Sequence, residues 1–453
     1  MMNLNTKYSV ADDKNEFLLS VFHLILGIAI YCSHTLGVIY SWSILLGGVL
    51  YIILKKDHNF QVLYASAYIV SSEVFLRMAT VIPTYEFCKY GSLLFFGLGI
   101  FFSGYESKSK WYFIYLLVLM PGLILGFFVL EKPVYSKIVF DFIGPLLLGL
   151  GSIYCIGKKV CLQQISKIFN FYKWPMFVCL GYLLVHNISL NILKFSTESN
   201  FQVTSKYGPN QVATVFGLTI FILCVQWIQK PLKRWLSIFD LLVLLGFFYM
   251  CFLTFSRGGT IVCLIISALF LSKVYFNLQE ESYKHLIQLK IVLLLMVGVV
   301  SFMLVNAKTE GLIVKRYADQ LPNGKPRKES RNGRKKLVAY EIDLFLKKPV
   351  LGSGLGYGKE NSTRVFGKKI STHNELSRLL AEHGILGVLA VLILLITPLY
   401  LYRQFETDYI YFWCFYLFWL LTIVHSGLRI SVPAFVYALS LLNLQSKTKE
   451  AAI

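Results

Sequence analysis

The chain has 453 residues, of which 56 % are hydrophobic and only 15 % charged, with a mean hydropathy of +0.62. That composition excludes an ordinary soluble protein and fits an all-α, polytopic helical membrane protein. The apolar runs are continuous, which excludes the alternating pattern of an outer-membrane barrel.

Taken in chain order, the first 16 residues are polar and lead directly into an apolar run at 17–33, read as an uncleaved anchor. Further runs predict helices near 36–54, 61–81, 88–103, 111–130, 138–156, 173–193, 211–229, 235–254, 259–277 and 289–306. A hydrophilic segment of roughly 307–383 follows, far longer than any other connection, and runs at 385–402, 409–425 and 431–445 complete a set of fourteen. Twelve to fourteen spans are therefore expected, with 1–306 a helix bundle, 307–384 one long outer loop carrying short helices, and 385–453 a second set of spans with a short tail. The nine cysteines are scattered through apolar segments and support neither a disulfide framework nor a zinc site, and no cofactor is implied.

Charge fixes the orientation. With the N-terminus inside, the inner connections carry Lys55/Lys56, Lys108/Lys110, Lys158/Lys159/Lys167, Lys230/Lys233/Arg234, Lys284/Lys290 and Arg403, while the short outer ones are sparser. Both termini are then cytoplasmic and the long loop lies outside. From Lys308 to Glu382 that loop holds seventeen Lys/Arg against eight Asp/Glu, a net of +9. Either it is a solvated loop of a basic chain or it meets an anion such as a lipid pyrophosphate. A nucleic-acid partner is not expected, because the loop faces away from the cytoplasm and has few aromatics to stack bases.

Several polar residues collect at the same outer face. Glu73 and Arg77 stand four apart and can pair along one helix. Lys206-Tyr207-Gly208-Pro209-Asn210 opens one span, Ser256-Arg257-Gly258-Gly259 forms a tight turn, and His425 and Arg429 sit between the last two helices. Ionisable groups at membrane depth usually face a cavity or one another. In the loop, 334–348 suits a short amphipathic helix ended by Pro349. Gly352, Gly354, Gly356 and Gly358 then allow tight turning and close approach to the bilayer or a ligand. Thr372 and Glu375 have the spacing of a capping box, which would put His373 in the first turn of a helix, where the dipole favours neutral imidazole and attracts phosphate. The plainer reading is a helix cap with an incidental histidine.

Together these segments resemble the O-antigen ligase and Wzy-type polymerase superfamily of bacterial membrane glycosyltransferases. The resemblance rests on Gly208-Pro209-Asn210, Ser256-Arg257-Gly258-Gly259, Arg334 before Pro349 and the glycine run, and His373-Asn374…Glu382-x-Gly384-x-x-Gly387, in the family's order. It departs from the family at Lys194 and Lys206, which stand where an arginine is common, and at Val338, where tryptophan is common. His186-Asn187 lacks the continuation and is read as structural.

The resemblance implies a metal-independent transferase in the bacterial inner membrane, with its site facing the periplasm. The donor would be an undecaprenyl-pyrophosphate-linked glycan and the acceptor a glycan, lipid A-core or glycoprotein, with membrane lipids around it. His373 would be the general base, with Arg257 and Arg334 on the leaving pyrophosphate. Lys206, Asn210, Asn374, Arg331, Arg77, Glu73, His425 and Arg429 are substrate-binding candidates. Ligation is favoured over repeat-unit polymerisation by the His-Asn pair. A polysaccharide transporter or flippase is the alternative from another class, and would more often show internal repeats.

The orientation is testable by cysteine labelling in a cysteine-free background. Ser330→Cys should react with an impermeant reagent in intact spheroplasts, and Ser446→Cys only after permeabilisation.

Overall fold

The computed structural model describes residues 10–130, 135–189, 195–230, 234–326, 329–367, 370, 374–404, 410–425 and 427–445. Of these, the side chains of 10–13, 135–136, 234–237 and 329–334 are not described. Arg331 and Arg334 are therefore placed only as backbone, and His373 lies outside the described residues.

Each of the fourteen apolar runs contains a helix, the last of them ending in a short strand. The first eleven are α1 (Val10–Cys32), α2 (His34–Lys55), α3 (Gln61–Met78), α4 (Phe87–Ser103), α5 (Lys110–Val129), α6 (Tyr135–Cys155), α7 (Leu162–Ser189), α8 (Pro209–Gln229), α9 (Arg234–Leu253), α10 (Arg257–Phe276) and α11 (Glu281–Lys308). The hydrophilic segment contributes α12 (Leu312–Tyr317), α13 (Glu329–Lys347), α14 (Tyr357–Phe366) and α15 (Glu375–His383). The chain then continues through α16 (Ile385–Tyr402), α17 (Ile410–Thr422) and α18 (Ser431–Leu439).

Among the described residues, nine helices are long and apolar enough to cross a bilayer: α1, α2, α5, α6, α7, α8, α10, α11 and α16. The apolar helices α4 and α17 are shorter, and α9 is apolar over the part whose side chains are described, Ile238–Leu253. The remaining two are interior elements. α3 carries Ser66, Ser71, Ser72, Glu73 and Arg77 and buries every residue but Tyr68, while α18 has nine residues, all buried. The protein is thus an all-α, multi-pass membrane protein. Polar side chains are tolerated on α3 because neighbouring helices, not lipid, surround it. The outer helices do the opposite, presenting Leu54, Phe101, Leu117, Phe128 and Leu295 outward, as a lipid-facing surface requires.

Small residues set close helix crossings. A Cβ on Gly259 of α10 would stand 2.3 Å from the carbonyl carbon of Ala213 in α8, so the two helices meet backbone to backbone. Their N-termini are tied as well, since Ser256 Oγ donates to Asn210 Oδ1 at 2.9 Å. At its other end α8 is capped by the Lys290 ammonium, which donates to the carbonyls of Trp227, Ile228 and Lys230 at 3.1, 2.9 and 2.6 Å.

The face opposite the long segment has its own fastening. Asp57 accepts from the amide of Val62 at 3.0 Å, from Ser103 Oγ at 2.8 Å and from the Tyr154 hydroxyl at 2.7 Å. Beside it, strands β1 (Lys159–Cys161) and β2 (Asn443–Gln445) pair in parallel, with Val160 opposite Leu444. The last described residues are thereby held against the first half of the chain.

Gly259→Ala should lower the thermal unfolding midpoint of the detergent-purified protein, because overpacking a tight contact costs about 1–3 kcal/mol. Gly47→Ala and Gly97→Ala, where nothing stands within 4 Å of the added Cβ, should leave it unchanged or raise it.

Candidate active site

A cavity of about 420 Å³ opens at the face that carries the long segment. One wall comes from Tyr85, Glu86 and Lys89 at the start of α4, Asp141 of α6, Tyr207 and Gln211 around the start of α8, and Arg429 between α17 and α18. The other comes from Leu337, Tyr340 and Glu341 of α13, Lys359 and Ser362 of α14, Ile370, and Arg378 and Glu382 of α15.

Arg77 organises the first wall from behind. Its Nη2 lies 2.5 Å from Glu73 Oε1 and 2.9 Å from Glu86 Oε2, so the expected Glu73–Arg77 pair is present and extends to α4. Nη1 donates to the Tyr207 hydroxyl at 3.1 Å and the Arg429 carbonyl at 3.2 Å, and Nε to the Tyr85 carbonyl at 2.9 Å. The guanidinium also sits 4.0 Å from the centre of the Tyr85 ring. Glu73 accepts the Ser431 amide at 2.5 Å, and Glu86 pairs with Lys89 at 2.9 Å. Burial pushes the Tyr207 phenol up, against the pull of Arg77, so it remains a neutral hydroxyl.

The second wall hangs on α15, and here one expectation is corrected. The helix starts at Glu375, and its N-cap is Asn374, whose Oδ1 accepts the Leu376 amide at 3.0 Å. His373 therefore precedes the helix in sequence instead of standing in its first turn. Glu375 does not close a capping box. It accepts the Leu428 amide at 3.1 Å and pairs with Arg378 at 2.5 Å. Ser377 Oγ donates to Glu341 at 2.5 Å, which joins α15 to α13. Across the cavity, Lys359 pairs with Asp141 at 3.1 Å, which joins α14 to α6.

The glycine run threads between α15 and α5. Gly352, Gly354 and Gly356 all have φ between +73° and +91°, a region open to glycine. A Cβ on Gly352 would stand 2.5 Å from the carbonyl of Glu382, and one on Gly354 would stand 3.0 Å from the amide of Gly126. The expected tight turning is present, and the close approach is to the backbones of α5 and α15. The run also delivers the Gly356 amide to Glu382 Oε1 at 2.9 Å.

Glu382 Oε2 has no hydrogen-bond partner and stands 3.7 Å from Arg378 Nε. Burial raises the Glu382 carboxyl to about 8, with Arg378 opposing only in part because Arg378 is drawn to Glu375. Next to it, burial and Arg378 push the His383 imidazole down to about 3. Arg378 itself is pushed up despite its burial, by Glu375 and Glu382. For Arg429, burial pushes the guanidinium down, with Glu375 opposing.

Arg257 is not in the lining. It opens α10 and its Nη2 pairs with Asp319 at 3.2 Å. His425 packs against the same turn, 2.7 Å from where a Cβ on Gly258 would stand, and Asn210 is bonded to Ser256 as described. Lys206 is exposed, with φ +63°. His186 and Asn187 bond the carbonyls of Gln202 and Val203, pinning the loop before α8. Two groups of candidates thus emerge: Glu73, Arg77 and Arg429 behind or in the cavity wall, and Asn210, Arg257 and His425 around the α8–α10 start.

Residues 241–392 match the family model for O-antigen ligase. This stretch is similar to the O-antigen ligase family. It runs from within α9 into α16 and includes the whole of the cavity's second wall. The match supports an activity in glycan transfer, with glycan and lipid-linked substrates in general. No curated protein matches the chain. The sequence reading passed over Arg378 as a site residue, and also Glu86, Lys89, Asp141, Lys359 and Glu341. The spacing of Glu375, Arg378 and Glu382 on one helical face was the available signal.

A raised carboxyl stabilises the fold fully below its ordinary value, and that contribution is lost as pH rises through the folded value. Above the ordinary histidine value, where His383 no longer opposes it, the thermal midpoint of the protein should therefore fall between about pH 6.5 and pH 8. Glu382→Gln, which keeps the shape and cannot ionise, should flatten that decline. His383 has the opposite sign: its contribution is present above its ordinary range and lost as pH falls towards about 3.

Proposed function

We propose that the protein is a metal-independent glycosyltransferase of the O-antigen ligase type. It moves a glycan from an undecaprenyl-pyrophosphate carrier to an acceptor hydroxyl at the periplasmic face of the bacterial inner membrane. The observation that carries this reading is the charged cavity built jointly by the stretch similar to the ligase family and the preceding helix bundle, on the face that bears the long loop. The charge asymmetry of the short connections supports a periplasmic position for that face.

In this reading the acceptor oxygen attacks the anomeric carbon while the bond from that carbon to the pyrophosphate oxygen breaks. The pyrophosphate leaves with the electron pair, and the hydroxyl proton passes to His373 as general base. A single in-line displacement inverts the anomeric centre. His373 follows Ile370 by three positions and precedes Arg378 by five, and both of those line the cavity. Arg334 stands one and two helical turns before Leu337 and Glu341 of the lining, on α13. Arg334 and Arg257 stabilise the developing charge on the leaving group, with Arg331, Lys206, Asn210, Asn374 and His425 as supporting contacts, and Arg429 meets the substrate from the cavity wall. Glu73 and Arg77 hold the wall from behind.

A reconstituted assay with lipid-linked donor tests the roles. His373→Ala should lower transfer by about 10²–10⁴-fold without loss of donor binding. Arg257→Lys and Arg334→Lys should also lower it, because lysine keeps the charge and loses the planar fork. Lys325→Gln, at an exposed position, should have little effect. Near wild-type transfer by His373→Ala would remove the base assignment. Offering lipid A-core, lipid-linked repeat units or a protein as acceptor separates ligation from polymerisation and protein glycosylation.

A further inference from the structure

The cavity differs in charge from everything around it. The chain carries +20 and the segment from Lys308 to Glu382 carries +9. The described lining, however, holds four carboxyl groups (Glu86, Asp141, Glu341, Glu382) against four cations (Lys89, Lys359, Arg378, Arg429). Three of these cations have a carboxylate beside them. Lys89 is 2.9 Å from Glu86, Lys359 is 3.1 Å from Asp141, and Arg378 is 2.5 Å from Glu375.

A pyrophosphate offers only acceptor oxygens and negative charge, so it is served by cations without carboxylates beside them. A sugar hydroxyl both donates and accepts. A carboxylate next to an ammonium or guanidinium answers both halves of one hydroxyl. Three tyrosines (Tyr85, Tyr207 and Tyr340) add flat apolar surface with a polar edge. The volume of about 420 Å³ falls within the range of small-ligand pockets. One group is also set up for a ligand: Glu382 is 3 % exposed, and its Oε2 has no hydrogen-bond partner.

We propose that this cavity is a subsite for an uncharged sugar, separate from the place that holds the pyrophosphate, and that the Lys359–Asp141 pair and Glu382 set its specificity. The proposal rests on the glycan-transfer reading above and adds which part of the substrate the cavity takes. The sugar is either the donor's first residues or the acceptor's last ones, and the chemistry required is the same. Burial, which keeps Glu382 protonated up to about pH 8, makes its Oε2 hydroxyl a donor to a sugar oxygen.

The test is calorimetric titration of the full-length protein in nanodiscs, run without turnover. Three probes are used: the oligosaccharide freed by mild acid from the cells' lipid-linked glycan, the acceptor oligosaccharide freed from its anchor, and inorganic pyrophosphate. One of the two saccharides should bind saturably, which identifies the source, and pyrophosphate should not displace it. Asp141→Asn should weaken that saccharide about tenfold, the loss of one hydrogen bond to a charged group. It should also create binding for the same saccharide oxidised to a uronate, because Lys359 loses its partner. Lys359→Met should weaken the neutral saccharide without creating uronate binding. Glu382→Gln should preserve binding below pH 8 and abolish its decline above. Unfolding midpoints of the variants in the same nanodiscs identify any that fail to fold, and the remaining variant then decides.

Competitive displacement by pyrophosphate, or unchanged saccharide affinity in both Asp141→Asn and Lys359→Met, would overturn the proposal. If neither saccharide binds while the reconstituted protein still transfers glycan, the subsite fails and the transfer reading stands. If a saccharide binds as described but no acceptor is glycosylated, the reverse holds.

Discussion

The buried guanidinium of Arg77 is the constraint on which the site depends. In an interior without water, each of its donors must find an acceptor, since an unpaired charge at that depth costs several kcal/mol. The acceptors come from α3, α4, the loop before α8 and the turn before α18. Satisfying one side chain therefore fixes four separate segments relative to one another. Tyr85, Glu86, Tyr207 and Arg429 all reach the cavity from those segments, so the wall they form inherits its geometry from a residue that does not line it.

The opposite wall is built by another device. α15 has nine residues and is too short to hold a position alone. It is clamped by Glu375 to the turn at Leu428, by Ser377 to Glu341 of α13, and by its backbone to the glycine run. The clamps use up the charges at its start and leave Glu382, at its end, with one oxygen that makes no hydrogen bond. Rigid support on one side of a carboxyl and an open cavity on the other is the arrangement a recognition group needs.

Much of the architecture was legible in the sequence because lipid imposes a simple rule: continuous apolar runs become helices. The rule is silent on which helices face lipid. α3 and α18 read as apolar runs like the rest, yet both are packed among other helices, and α18 has only nine residues. The Glu73–Arg77 pair followed from four-residue spacing, whereas its extension to Glu86 and Tyr207 is tertiary and left no periodic trace. The start of α15 was misplaced because Thr372 and Asn374 are both good caps. Spacing to Glu375 favoured the first, but Glu375 is committed to Arg378 and Leu428 and cannot turn back to a cap. Arg257 was legible as a turn residue, but its pairing with Asp319, 62 positions away, was not.

The short helix α18 has a consequence for the order in which the protein is made. Nine residues rise about 14 Å, well under the roughly 30 Å of a bilayer core, so α18 cannot wait in lipid as an independent span. It also follows the other described parts of the site along the chain. Glu73 and Arg77, synthesised early, have no Ser431 amide or Arg429 carbonyl to bond until this segment emerges. The bundle must therefore hold a slot open through most of translation. Entry of 427–445, ending in the pairing of β2 with β1 on the far face, is the event that closes the wall of the cavity. A ribosome that stops short of this segment leaves the nine long apolar helices in place and the cavity unfinished.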